Sequence, residues 1–191
     1  MDISSFLNRL KSLKFDLNVL KEQGFEDEDI VSMLNVFTPK RNGFQSVSED
    51  ALIQFIEEYK TDFGLISNIS FNETIERNGN NIFIGWYKGE DPLSISINTN
   101  EIIVVSHWDY NAVNFYCALN SKKFMEAFLI HGIGRLDINF GTQEDKWNYN
   151  LAKANEAAIA AGGEKYLMFW QSLYPVGSYR ADNQNASGLL N

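Results

Sequence analysis

The chain has 191 residues, 45% hydrophobic and 21% charged, a globular composition that argues against intrinsic disorder. Its formal net charge of -9 disfavours nucleic acid and anionic membranes as partners, because binding a polyanion requires clustered Lys and Arg. The single cysteine, Cys117, rules out an intramolecular disulfide and favours a reducing compartment.

The same sequence predicts where the protein is located and what kind of partner it binds. The N-terminal residues lack the continuous apolar core of a signal peptide, and no run approaches the roughly 18 apolar residues that span a bilayer. We therefore expect a cytoplasmic protein, a monomer or weak dimer, that requires no cofactor. Its acidity would steer a basic protein toward it, so the expected partner is cationic.

Helical periodicity dominates the first third of the chain. Apolar residues fall on one helical face over residues 6–13, which predicts an N-terminal helix. The acidic residues 26–29 precede a second apolar repeat and suit the first turn of another helix. Ser46 and Glu49 form a capping-box pattern, which predicts a third helix over the apolar repeat at 52–59.

From about residue 69 the hydrophobic period changes to two, which indicates strands with one buried face. Apolar runs lie at 82–87, 93–97, 102–105 and 113–119, with turns at 89–92 and 98–100. Parallel strands would need crossovers of a dozen or more residues, so these short connections predict an antiparallel meander. The predicted fold class is α+β, with a sheet of four to six strands flanked by helices.

A helix is predicted directly after the last strand. Ser121 suits its N-cap, and Gly132 suits its end. His131 would then lie beside the terminal carbonyl groups, where a protonated imidazole is favourable.

The remaining residues predict a helical extension. Residues 147–161 and 166–173 have helical apolar patterns, interrupted by Gly162 and Gly163. We expect one α+β domain over 1–176, including C-terminal helices over about 143–175. Pro175 is expected to end the last helix, and 177–191 to form a flexible tail.

One arrangement of residues could support catalysis. His107, Asp109 and Cys117 are the residue types of a thiol nucleophile, its base and the carboxylate that orients the base. Alternatively, Cys117 in an apolar strand is a small hydrophobic residue, and we favour this interpretation. We therefore expect no catalytic residues. The chain has only two histidines, on different predicted elements, so we also expect no metal site.

The turn after residue 105 contains two aromatic residues beside a carboxylate. Trp108 either folds back over the core or belongs to a binding surface for a basic protein, and the sequence leaves both open. Exposed turns between strands carry recognition more often than core elements do. The candidate partner-binding residues are Trp86, Glu90, Asp91, Trp108, Asp109 and Tyr110.

An ordered set of motifs runs from about residue 51 to residue 131. It contains an aromatic–acidic helix at 55–59, an apolar strand with 84–86, a polar turn at 97–101 before the strand at 102–105, and a helix starting at Ser121 with Phe124 and Phe128. In this order and type the segment resembles the SUKH superfamily, which includes bacterial immunity proteins and cell-wall assembly regulators. The SUKH-like core would span about 47–132.

This resemblance implies an α+β fold and a non-enzymatic protein that binds and neutralises a toxin. The leading prediction is therefore an immunity-type protein that occludes a cognate, basic toxin domain. A cytosolic scaffold or regulatory domain is the alternative, as in other members of the superfamily. A small hydrolase using His107 and Cys117 is a weaker alternative.

Overall fold

The computed structural model describes residues 1–13, 17–22, 24, 26–60, 63, 67–136 and 142–174. Within these residues the chain has the predicted α+β fold, with helices packed on an antiparallel sheet. The predicted helix end at Pro175 and the predicted tail at 177–191 lie outside the described residues.

The helices lie in two groups, before and after the main sheet. In chain order they are α1 (Ile3–Ser12), α2 (Leu17–Glu22), α3 (Asp27–Val36), α4 (Ala51–Glu58), α5 (Ser121–Leu136), α6 (Gln143–Ala161) and α7 (Leu167–Ser172), with a 3-10 helix at Glu164–Tyr166. The helices predicted near the C-terminus are thus confirmed as α6 and α7. No helix in the described ranges combines the length and apolar character needed to cross a membrane.

The strands form two sheets. A small sheet pairs β1 (Lys40–Arg41) with β2 (Tyr59–Lys60), and the main sheet contains β3 (Ile69–Asn78), β4 (Asn81–Tyr87), β5 (Asp91–Ser96), β6 (Ile102–Val105) and β7 (Val113–Ala118). The main sheet has the order β3-β4-β5-β6-β7 with every neighbour antiparallel, which confirms the predicted meander.

The β4–β5 turn is shorter than the sequence suggests. Asp91 and Pro92 were expected in the turn, but they belong to β5, where Asp91 pairs with Tyr87 and Pro92 with Trp86. Pro lacks an N–H group, but Pro92 lies near the start of β5, before the pairing with β6 begins at Leu93.

Two predicted helix caps are wrong. Asp50 caps α4, since its Oδ1 accepts the N–H groups of Leu52 at 2.9 Å and Ile53 at 3.1 Å. The hydroxyl of Ser46 instead donates to the carboxylate of Glu57. For α5, Oδ1 of Asn120 accepts the N–H of Lys123 at 3.0 Å, so Asn120 is the cap and not Ser121. In both cases a side chain that accepts well lies directly before the helix.

The prediction that α5 ends near Gly132 is also wrong, because α5 continues to Leu136. A Cβ at Gly134 would lie 2.9 Å from the Cβ of Lys153 on α6, so the glycine allows a close approach of the two helices. His131 does not cap the helix: its side chain is fully buried, 5.0 Å from the ring of Tyr174 between centroids. Packing against α6 and α7 therefore outweighs the helix cost of glycine, about 1 kcal/mol per residue.

One face of the main sheet forms the core with the helices. A continuous cluster joins sheet residues to helix residues, among them Leu93, Ile95, Ile102, Val104, Phe124, Phe128, Phe169 and Trp170. Trp170 also donates its indole N–H to the backbone oxygen of Cys117 at 3.0 Å, which satisfies a carbonyl of the edge strand β7. The helical extension is therefore integral to the core.

The opposite face of the sheet, called here the outer face, lies outside that cluster. Its central row follows the register, in which Phe83 pairs with Ser94, Ser94 with Ile103, and Ile103 with Tyr116. Ile103 is only 4% exposed, but it is not part of the core cluster, and Tyr116 is 40% exposed. The described helices thus leave this face uncovered, and its own side chains shield the centre.

Gly85 provides a test of how closely β3 and β4 pack. A Cβ at this position would overlap the carbonyl oxygen of Ser70. Gly85→Ala should lower the free energy of unfolding by more than about 2 kcal/mol, because the backbone of β3 would have to shift.

Gly89→Ala is the matched control. Its surroundings are open but its φ is +73°, so the expected loss is about 1 kcal/mol from backbone strain alone. Urea denaturation followed by circular dichroism measures both values, and equal losses would contradict the packing argument.

Candidate functional site

The loop between β6 and β7, residues 106–112, is fixed by its own hydrogen bonds. The N–H of Ser106 donates to the carbonyl of Ala112 at 2.9 Å, and the N–H of Ala112 donates to that of Asp109 at 2.8 Å. Side chains complete the loop: Ser106 Oγ accepts the N–H of Trp108 at 3.2 Å, and Asp109 Oδ1 accepts that of Asn111 at 2.9 Å. This β6–β7 loop is therefore preorganised.

Asp91 at the start of β5 anchors the loop to the sheet. Its Oδ1 accepts the backbone N–H of His107 at 3.1 Å and lies 2.7 Å from Nδ1 of the same residue. Its Oδ2 accepts Nδ2 of Asn114 at 2.9 Å. Burial alone would raise the pKa of Asp91, but the hydrogen bonds from His107 and Asn114 outweigh it and hold the pKa below its ordinary value.

Of the two alternatives for Trp108, the structure has the exposed one. The side chain is 87% exposed and touches the His107 ring, with centroids 4.5 Å apart. Tyr110, in the same loop, is 44% exposed and packs against Phe83 of β4 at 5.4 Å between centroids. The loop thus presents one aromatic side chain to solvent and lays another on the outer face.

A groove of about 390 Å³ runs across the outer face beside the loop. Its apolar side is formed by Phe83, Trp86, Pro92 and Tyr110, with Gly85 between them. Its polar side comes mainly from β3, with Asn72, Glu73, Thr74, Glu76 and Asn78. The structure therefore brings together Trp86 and Tyr110, two of the candidate residues, in one depression.

Carboxylates occur in the groove and in the two turns at this end of the sheet. Glu90, in the β4–β5 turn, and Asp109, in the β6–β7 loop, are both exposed. Glu73 forms an exposed ion pair with Lys60 at 3.3 Å, whereas no ion pair with a described residue involves Glu76 or Glu90. Aromatic contact area beside free carboxylates suits a basic partner.

The catalytic alternative is not supported by the positions of its residues. Cys117 is fully buried, and burial raises the pKa of its thiol well above the ordinary value. It lies near the Ile102 end of β6, whereas His107 follows Val105 at the other end. His107 bonds to Asp91 and not to Asp109. Among the described residues no group of His, Cys, Asp or Glu is arranged to hold a metal ion.

The sequence interpretation missed the polar wall of the groove. Residues 72, 74, 76 and 78 line it in alternation, and Glu73 adds to the lining between them. Their period of two was a usable signal, but polar residues on both faces of this edge strand obscured which face carries them. Phe83 was also missed, because an aromatic residue in an apolar run resembles core.

Comparisons with known proteins do not identify the chain. Neither a family model, nor a curated protein, nor a solved structure matches it. The resemblance to the SUKH superfamily therefore stays a prediction.

The Asp91 anchor gives a pH prediction. Because the pKa of Asp91 in the folded protein is below its ordinary value of 3.8, the anchor stabilises the fold above that pH and is lost as pH falls through the folded-state pKa. His107→Ala removes one of the hydrogen bonds, so it should raise the pKa of Asp91.

An NMR titration of the carboxyl carbons measures this pKa. Asn111→Ala is the control, since Asn111 lies in the same loop but bonds to Asp109. An unchanged Asp91 pKa in His107→Ala would show that the His107 side chain does not lower the pKa of Asp91.

Proposed function

We propose that the protein acts by binding another protein through the β6–β7 loop and the adjacent groove, and that this partner is a basic toxin domain. Binding would occlude the active surface of the toxin and neutralise it without chemistry, so the protein would need no cofactor. The observation that carries the proposal is Trp108, 87% exposed on a loop closed by its own hydrogen bonds.

The exposed indole supports a role in recognition. Trp is among the residues that contribute most to protein interfaces, because a large rigid ring fills a pocket in the partner. Ordering a loop on binding costs free energy, which lowers affinity. The hydrogen bonds within residues 106–112 and the Asp91 anchor reduce that cost, since the loop is already held in the free protein.

Charge supports the choice of partner. The chain carries a formal net charge of -9, and exposed carboxylates lie in the groove at Glu76, in the β4–β5 turn at Glu90 and in the β6–β7 loop at Asp109. Such a field accelerates encounter with a basic protein and repels polyanions. The proposal therefore excludes nucleic acid as the ligand of this surface.

The immunity role rests on the SUKH resemblance together with this surface. A cytoplasmic location belongs to the same proposal, supported by the single cysteine, Cys117, which is buried and free. A protein that neutralises by occlusion needs a rigid, preformed surface more than a catalytic centre, and the loop and groove fit that requirement.

The decisive experiment is co-expression with a toxin encoded beside this gene, where the neighbouring genes include one. Stoichiometric capture of that toxin by the tagged protein, together with rescue of growth, is the expected result. A toxin that is not captured and still kills the cells would overturn the immunity role and favour the scaffold or regulatory alternative.

Trp108→Ala tests the loop directly. It should weaken the complex by about 30-fold, which corresponds to roughly 2 kcal/mol for a central aromatic contact. Trp147→Ala is the matched control, because Trp147 is also partly exposed, at 42%, but lies on α6. Isothermal titration calorimetry measures both, and equal affinities would remove Trp108 from the interface.

The salt dependence of binding tests the electrostatic contribution to the complex. Raising the salt concentration from about 0.1 M to about 1 M shortens the Debye length from about 10 Å to about 3 Å. We expect slower association and an affinity lower by about tenfold or more, since exposed carboxylates would be screened. An association rate that does not change with salt concentration would contradict the prediction that the partner is basic.

A further inference from the structure

We propose that the groove on the outer face binds an arginine side chain of the partner. This inference rests on the proposed function and names the chemical group that the surface recognises. The group would lie between the aromatic side of the groove, at Trp86 and Tyr110, and the carboxylate of Glu76 on β3.

The aromatic side of the groove suits a flat cation. Trp86 and Tyr110 are 41% and 44% exposed, so each presents part of its ring to an incoming group. Tyr110 is steadied by the ring of Phe83 and by its backbone oxygen, which accepts Nδ2 of Asn81 at 3.2 Å. A guanidinium group stacks on such rings through its own planar face and is attracted by their π electrons.

Glu76 supplies the charge. It lies directly opposite Phe83 in the β3–β4 register, which places the two Cβ atoms roughly 4.5–5.5 Å apart on the same face. Its side chain is exposed and forms no ion pair within the described part of the chain. A carboxylate beside a ring can bond a guanidinium in a bidentate manner while the ring stacks on it.

The other lining residues favour arginine over other ligands. Asn72, Thr74 and Asn78 add neutral oxygen acceptors beside Glu76. Arginine presents five N–H donors in a fixed plane, whereas lysine presents a compact ammonium group that cannot stack in this way. None of the described lining residues is a Lys, Arg or His, so the groove has no cationic side chain to neutralise an anionic ligand.

The test uses a small probe in place of the partner. N-acetyl-arginine methylamide is titrated into the isotope-labelled protein and followed by NMR. The expected shifts are in the indole N–H of Trp86 and in the backbone amides of Glu76 and Phe83. The neutral citrulline analogue, which keeps the shape but lacks the charge, should bind at least fivefold more weakly.

Glu76→Gln tests whether the carboxylate in the groove, and not the net negative charge of the protein, binds the probe. It should reduce the affinity for the arginine probe at least fivefold, while Trp147→Ala, outside the groove, leaves it unchanged. Equal binding of citrulline, shifts centred elsewhere, or an unaltered affinity in Glu76→Gln would each overturn the inference.

The two proposals fail in different ways. If the toxin is captured with unchanged affinity by Glu76→Gln but lost in Trp108→Ala, the arginine groove is wrong and the loop interface stands. If no toxin is captured yet the arginine probe binds as described, the groove stands and the immunity role falls.

Discussion

Burial of one face of the main sheet is the constraint from which the rest of the structure follows. The helices pack on that face, where side chains such as Leu93 and Val104 join the aromatic residues of α5 and α7 in one cluster. Because successive side chains of a strand point to opposite faces, filling this core commits the other half of β3 to β7 to the outer face. Recognition can be placed there without changing the core.

The strands could be predicted because their apolar runs are bounded by short polar turns. Residues 82–87 and 102–105 were located within one residue of β4 and β6. The caps could not be placed reliably, since Ser46 and Asp50 are both good acceptors and only the local backbone decides between them. Gly132 failed as a stop signal because a glycine is tolerated inside a helix that is held by packing, as α5 is against α6 at Gly134.

The candidate site also has one part that could be predicted from the sequence and one part that could not. Its loop was recognisable, since a polar turn with Trp108 and Tyr110 places large rings where solvent is expected. The groove was not, because it depends on a register that pairs Glu76 with Phe83 after an irregularity in β3. An irregularity shifts which residues face each other, and sequence spacing alone does not locate it.

The inner and outer faces are joined at Asp91. It pairs with Tyr87, whose hydroxyl donates to Ser172 of α7 at 2.9 Å, and it also accepts the hydrogen bonds that hold the β6–β7 loop. Packing of the core thus fixes the start of β5, to which the β6–β7 loop is hydrogen-bonded. The geometry of this surface is set by folding, so binding a partner does not carry the free-energy cost of ordering the loop.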